Sequence, residues 1–164
     1  MWQENDDNSN HEIKAYYPEV WDTLMILKKQ GYISSDSLHQ ALYGRVLYGF
    51  LYAYNPENFV RRGSRPYPNP FNAKLYYQMV GKDGDFIVGS DIGNFDYRRE
   101  LKKLKMPVLI LAGRYDRVAV PEMMVKYKQY WPQATFVIFE RSGHNPQVEE
   151  PGKLLSVIRD FLRE

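Results

Sequence analysis

Residues 107–116 read PVLILAGRYD and residues 135–144 read TFVIFERSGH. Each stretch is a short continuous apolar run that ends in a polar turn, Gly113-Arg-Tyr-Asp116 in the first and Arg141-Ser-Gly-His144 in the second. A strand with one wet face alternates apolar and polar residues, whereas an unbroken run is the pattern of a strand covered on both faces, as in a parallel sheet. Between the runs Pro121 opens a helix over residues 121–130. After the second, Pro151 opens an amphipathic helix whose Leu154, Leu155, Ile158, Phe161 and Leu162 form the expected buried side. Strand, helix, strand, helix predicts an α/β fold with two parallel neighbours joined by a right-handed crossover.

In open α/β sheets, functional groups gather on the loops that leave the carboxyl ends of strands. Asp116 and His144 occupy those loops on adjacent strands. An acid that orients an imidazole, so that the imidazole can deprotonate a nucleophile, needs this adjacency. A helix-capping Asp and an incidental surface His are the plainer explanation of the same spacing.

The chain upstream has a different texture, helical and aromatic. Pro18 suits a first helical turn, and Val20, Trp21, Leu24, Met25, Ile26 and Leu27 follow before Gly31 stops the helix. Ser35 or Asp36 caps a second helix, with Leu38, Leu42, Val46, Phe50 and Leu51 at helical spacing until Asn55-Pro56 ends it. Tyr43, Tyr48, Tyr52 and Tyr54 broaden its apolar face. Residues 61–70 read as loop and 72–80 as a short third helix. The expected division is a helical, aromatic-rich region over 1–95 and a strand–helix region over 96–164.

At 164 residues the chain is one domain by size, and 44% hydrophobic with 26% charged residues is globular composition. A net charge of +2 gives no reason to expect a nucleic-acid partner. The basic run Arg98, Arg99, Lys102, Lys103 and Lys105 reads as the solvated face of a short helix with Leu101 and Leu104 inward, phosphate contact being the alternative. The absence of cysteine removes thiol nucleophiles and Cys-ligated metals. No stretch approaches the roughly 20 apolar residues that cross a bilayer, and the acidic start Met-Trp-Gln-Glu-Asn-Asp-Asp is no secretory signal. The expectation is a cytoplasmic protein without membrane contact. Fourteen Tyr within 15% aromatic content point to a lined pocket or aromatic-rich helices as well as a core.

The Gly-Arg-Tyr-Asp form ending at Asp116, then Trp131-Pro132, Ser142-Gly143-His144 and Glu149-Glu150-Pro151 before a terminal helix resemble the C-terminal end of α/β-hydrolases, most of all the proline iminopeptidase branch. The resemblance implies that Asp116 is the acid and His144 the base of a serine-hydrolase triad. It makes residues 1–95 a lid over the pocket, implies no metal or organic cofactor, and points to a small peptide or ester substrate. For an aminopeptidase, Glu12, Glu19, Asp36 or Glu57 would be candidates to bind a free amino group, a solvated surface role being the alternative for each.

One part of the family pattern is missing. The triad order is Ser, Asp, His, with the serine on a Gly-x-Ser-x-Gly elbow upstream of the lid, and no such pattern occurs in these 164 residues. The nearest stretch, Val88-Gly-Ser-Asp-Ile-Gly93, has Gly89 adjacent to Ser90 and follows the helical region. The oxyanion-hole segment belongs to the same early part of the fold. Physics points the same way, since two parallel strands do not make a stable sheet with both faces covered. Their neighbours would come from a preceding chain, from a second copy of this chain, or from sequence outside this stretch. The sequence therefore reads as the lid and last third of a serine hydrolase, a peptidase removing N-terminal residues or an esterase of the same fold. A non-catalytic product that oligomerises or binds is the alternative.

Overall fold

The structure, a computed structural model, describes residues 2–57 and 72–163; the loop expected over 61–70 and the side chain of Tyr48 lie outside the described residues. Strands β1 (Leu109–Gly113) and β2 (Thr135–Phe139) pair in parallel, with Leu109 opposite Thr135 and Gly113 opposite Phe139. They form the one sheet among the described residues. Burial of β1 is deep at Ile110 and Ala112, but β2 is fully buried only at Phe139 and exposes Thr135. Cover on both faces, expected for both strands, is largely realised for β1 and not for β2, because the described chain supplies too few layers.

The helices run α1 (Trp2–Tyr16), α2 (Pro18–Lys29), α3 (Ser37–Val46), α4 (Ala73–Val80), α5 (Ser90–Gly93), α6 (Arg98–Leu101), α7 (Pro121–Val125), α8 (Pro146–Glu149) and α9 (Pro151–Phe161). Helix α2 starts at Pro18 and closes at Gly31 in a Schellman arrangement, with Gly31 N–H donating to Lys28 O and Tyr32 N–H to Leu27 O, both at 3.0 Å. Asn72 caps α4 by accepting from Leu75 N–H at 3.0 Å.

One helix was not anticipated and four expectations are corrected. Helix α1 had no apolar periodicity to announce it. It is held by polar side chains: Gln3 Nε2 donates to Phe86 O at 2.9 Å and Asn10 Nδ2 to Asp85 O at 2.7 Å, and Ile13 is its fully buried apolar residue. The helix after Asp36 ends early, passing at Leu47–Leu51 into a π turn. Asp36 heads it through a carbonyl that accepts from Gln40 N–H, while its carboxylate turns back to Ile33 N–H at 2.8 Å, so its side chain does not cap. In α9 the expected apolar face is only partly covered: Leu154 and Phe161 are half-buried, whereas Leu155 is 53% and Leu162 76% exposed. Leu104, expected inward, is also exposed, beyond the end of α6.

One apolar core joins Ile13, Leu24, Tyr43, Val46 and Leu51 from the helical half, with Val118 from the loop after β1 packed against it. The other surrounds Ile110, Ala112, Ala134 and Phe139. Val118 therefore ties the helical half to the loop that carries Asp116.

Candidate active site

Two close backbone approaches build the site. A Cβ on Gly113 would overlap the carbonyl oxygen of Gly143 and sit 2.6 Å from that of Ser142, so the turn after β1 packs directly on the turn after β2. Arg114 N–H donates to Phe139 O and Tyr115 N–H to Ser142 O, each at 2.9 Å, which locks the two turns edge to edge. On the other side a Cβ on Gly143 would run into the Tyr52 carbonyl, and His144 N–H donates to that carbonyl at 2.8 Å. The chain just past the π turn is thus the third wall of the site.

This packing brings the two expected residues together. Asp116 is 7% exposed, and its Oδ2 lies 2.9 Å from His144 Nδ1. Its Oδ1 accepts from Val118 N–H at 2.9 Å and Ala119 N–H at 2.8 Å, which fixes the carboxylate plane. An ionised carboxylate only accepts, so in the neutral imidazole Nδ1 carries the proton and Nε2 the lone pair. The imidazole is one-third exposed and meets the Tyr52 ring edge-on, at 4.5 Å between centroids.

Glu149 and Glu150 support the histidine turn, a role the sequence showed only as a motif. Glu149 accepts from Gly143 N–H at 2.7 Å and from Asn55 N–H at 2.9 Å. Glu150 Oε2 accepts from Arg141 N–H at 2.9 Å and from the fully buried Ser142 hydroxyl at 2.6 Å. Tyr52 and Arg117 were also missed as parts of the site. Tyr52 was legible only as a helix-face aromatic, and Arg117 lay next to Asp116 with no spacing signal of its own.

The other expected residues stand apart. Ser90 has a positive φ of 52°, the kind of strained backbone seen at functional turns, but its hydroxyl donates to Gln78 O and so faces α4, not His144. Glu12 pairs with Arg117 at 3.0 Å, Asp36 is spent on Ile33 N–H, and Glu19 and Glu57 are exposed. Of the basic run, Arg98 pairs with Asp96 and Lys102 lies over the Tyr130 ring. Among the described residues no group of three His, Asp or Glu side chains is placed to hold a metal ion, and no helix is long and apolar enough to cross a membrane.

A cavity of about 380 Å³ runs along β1 beside this pair. Leu111, Ala112, Gly113, Met124, Leu154 and Ile158 line it together with Asp116 and His144.

Residues 20–151 match the model of the alpha/beta hydrolase fold family, and the chain belongs to that family. Within it, the chain is 41% identical over 91 residues to a proline iminopeptidase of Heyndrickxia coagulans, a match covering 56% of this chain and 31% of that protein. It is 33% identical over 86 residues to a proline iminopeptidase of Saccharolobus solfataricus, covering 52% of this chain and 27% of that protein. The solved proline iminopeptidase of Mycobacterium smegmatis shares the fold with a TM-score of 0.68 at 19% identity, over 99% of this chain and 52% of that one. These two curated matches span less than a third of each relative's length.

Proposed function

We propose that this chain supplies the acid and the base of a serine hydrolase, and that the complete enzyme removes residues from the N-terminus of small peptides. The observation that carries the reading is the 2.9 Å contact between Asp116 Oδ2 and His144 Nδ1 at the carboxyl edge of a parallel strand pair. In acyl transfer, His144 Nε2 would take the proton from a serine hydroxyl as that oxygen attacks the scissile carbonyl. It would then give the proton to the leaving amine, while Asp116 holds the tautomer and stabilises the imidazolium. The peptidase assignment rests on the similarity to proline iminopeptidases.

The serine and the oxyanion donors would come from the part of the fold that these residues do not contain. The edge of β1 away from β2 has no partner strand among the described residues, which supports this reading, and the cavity lined by residues 111–113 of β1 is also lined by Asp116 and His144. Residues 1–95, as a lid, would cover the pocket, with the Tyr52 ring against the imidazole.

A second reading, an esterase of the same fold, is favoured by one observation: Glu12, the lid acid nearest the acid loop, is neutralised by Arg117 and is not free to hold a substrate ammonium group. One experiment separates these readings. The chain is joined to the N-terminal portion of a proline iminopeptidase carrying Gly-x-Ser-x-Gly, and turnover of prolyl arylamide is compared with that of a short-chain aryl ester. The peptidase reading expects the amide to be cleaved and the chain alone to cleave neither. Ester turnover alone supports the esterase, and no turnover by a folded assembly supports a non-catalytic product.

A further inference from the structure

Arg117 follows Asp116 directly, and it is joined to the helical half at six points. Its N–H donates to Leu51 O at 3.2 Å. Its carbonyl accepts from Asn8 Nδ2 and Ser9 Oγ, each at 3.0 Å, both on α1. Its Nη1 donates to Phe50 O at 3.0 Å, its Nε to Glu12 Oε2 at 3.0 Å, and its guanidinium lies 4.1 Å from the centre of the Phe50 ring. Arg117 and Glu12 are each about three-quarters buried, so water and salt screen the pair less than they would a surface pair.

The partners of Arg117 share a location. Phe50 and Leu51 end the π turn and Tyr52 follows it; Tyr52 contributes the carbonyl that accepts from His144 N–H and the ring that lies edge-on to the imidazole. A single turn of the helical half therefore bonds to the loop of the acid through Arg117 and to the loop of the base through Tyr52. π turns inside helices occur frequently at functional sites. In this chain the carbonyls of residues 50–52, left without intrahelical partners where the helix ends, are the ones that hold the two loops.

We propose that Arg117 is a positioning residue: it fastens the acid loop to the π turn, so that docking of the helical half and alignment of Asp116 with His144 become one event. This rests on the hydrolase reading for its purpose, though not for its geometry. Arg117 does not reach the imidazole itself; it acts by fixing Asp116 and Tyr52 relative to each other. With the guanidinium removed, the acid loop keeps its backbone bonds to Phe139, Ser142 and Leu51 but loses the side-chain ties to Phe50 and Glu12, and the Nδ1–H to carboxylate bond opens more often.

The test uses the 164-residue chain and needs no nucleophile. Nitrogen-15 spectra of His144 report its tautomer, and the exchange rate of the Nδ1 proton with water reports how often the bond to Asp116 opens. Arg117→Met is expected to speed that exchange by about ten-fold or more and to populate the Nε2–H tautomer, because the charged tie at the loop is lost. Arg117→Lys, which keeps the charge opposite Glu12, is expected to restore most of the protection. Glu12→Gln, which leaves the Phe50 bond in place, should move the same signal in the same direction by a smaller factor. A folded Arg117→Met with unchanged tautomer and exchange would overturn the proposal. If that variant does not fold, an unchanged signal in Glu12→Gln would overturn it equally. Failure of the hydrolase reading would show instead as absent turnover in the completed enzyme and would leave these spectra untouched.

Discussion

His144 Nδ1 lies 2.9 Å from Asp116 Oδ2 across 28 positions of sequence, and the backbone on either side of that contact leaves little freedom to make it differently. The acid is held by two N–H groups of its own loop, and the histidine by the Tyr52 carbonyl. The glycines at 113 and 143 let those backbones touch.

Replacing these glycines should cost stability before it costs chemistry. Gly113→Ala would drive a methyl group into the Gly143 and Ser142 carbonyls, and Gly143→Ala into that of Tyr52. Each is expected to lose about 3 kcal/mol or more in denaturant unfolding, since rigid backbone and not a flexible side chain must give way. Gly152→Ala, with nothing within 4 Å of the added carbon, is the control and should be neutral or slightly stabilising in its helix.

The helical half carries a pH dependence of its own. Burial, with Asp85 and Asp7 nearby, raises the Asp6 carboxyl to about 7, and burial raises Asp85 to about 6. Among the described residues Asp6 Oδ2 has no hydrogen-bond partner, and neither do the ring nitrogens of buried His39, whose Nδ1 is 3.6 Å from Asp85 Oδ2. A carboxyl raised in the folded state binds its proton more tightly there than in the unfolded chain. Its contribution is therefore complete in acid and is lost as pH rises through the folded value. Burial lowers the pKa of His39, which acts in the opposite direction below its unfolded value, so the carboxyls are read by comparing variants: their share of stability should decline between about pH 4 and pH 7. Asp6→Asn should raise Tm at pH 8 and leave it nearly unchanged at pH 4.5.

How much of this was legible in the sequence depended on what holds each element. The strands ending in Asp116 and His144 were visible because unbroken apolar runs bounded by turns have one economical explanation, and their parallel pairing and shared edge followed. Helix α2 was visible from Pro18 and Gly31. Helix α1 was invisible because Gln3, Asn8, Ser9 and Asn10 dock it by hydrogen bonds to distant carbonyls, which leave no periodic apolar trace. The π turn could not be read because the four-residue spacing of Leu42, Val46 and Phe50 suits an α-helix and a π turn alike. The role of Arg117 was hidden for the same reason: its partners at Glu12 and Phe50 are distant in sequence and close only after folding.

The uncovered apolar surface makes the chain self-associating by expectation. The β1 edge away from β2 is unpaired among the described residues, and Met106, Leu155 and Leu162 are exposed. Apolar strand edges of this kind pair with whatever is available. Light scattering at micromolar concentration should find dimers or larger species, with β1 amides protected on association; a cooperative monomer would show that the edge is covered in another way.

The most direct test of the central claim is the turnover number of the chain completed with a Gly-x-Ser-x-Gly portion, measured for the parent and for His144→Ala. Loss of a triad member costs about 10⁴ to 10⁶ in turnover, roughly 5 to 8 kcal/mol of barrier, far beyond the effect of a lost surface hydrogen bond. The account predicts a fall of that size with KM nearly unchanged, and a somewhat smaller fall for Asp116→Asn. A folded, substrate-binding His144→Ala enzyme within a few-fold of the parent's turnover would contradict it.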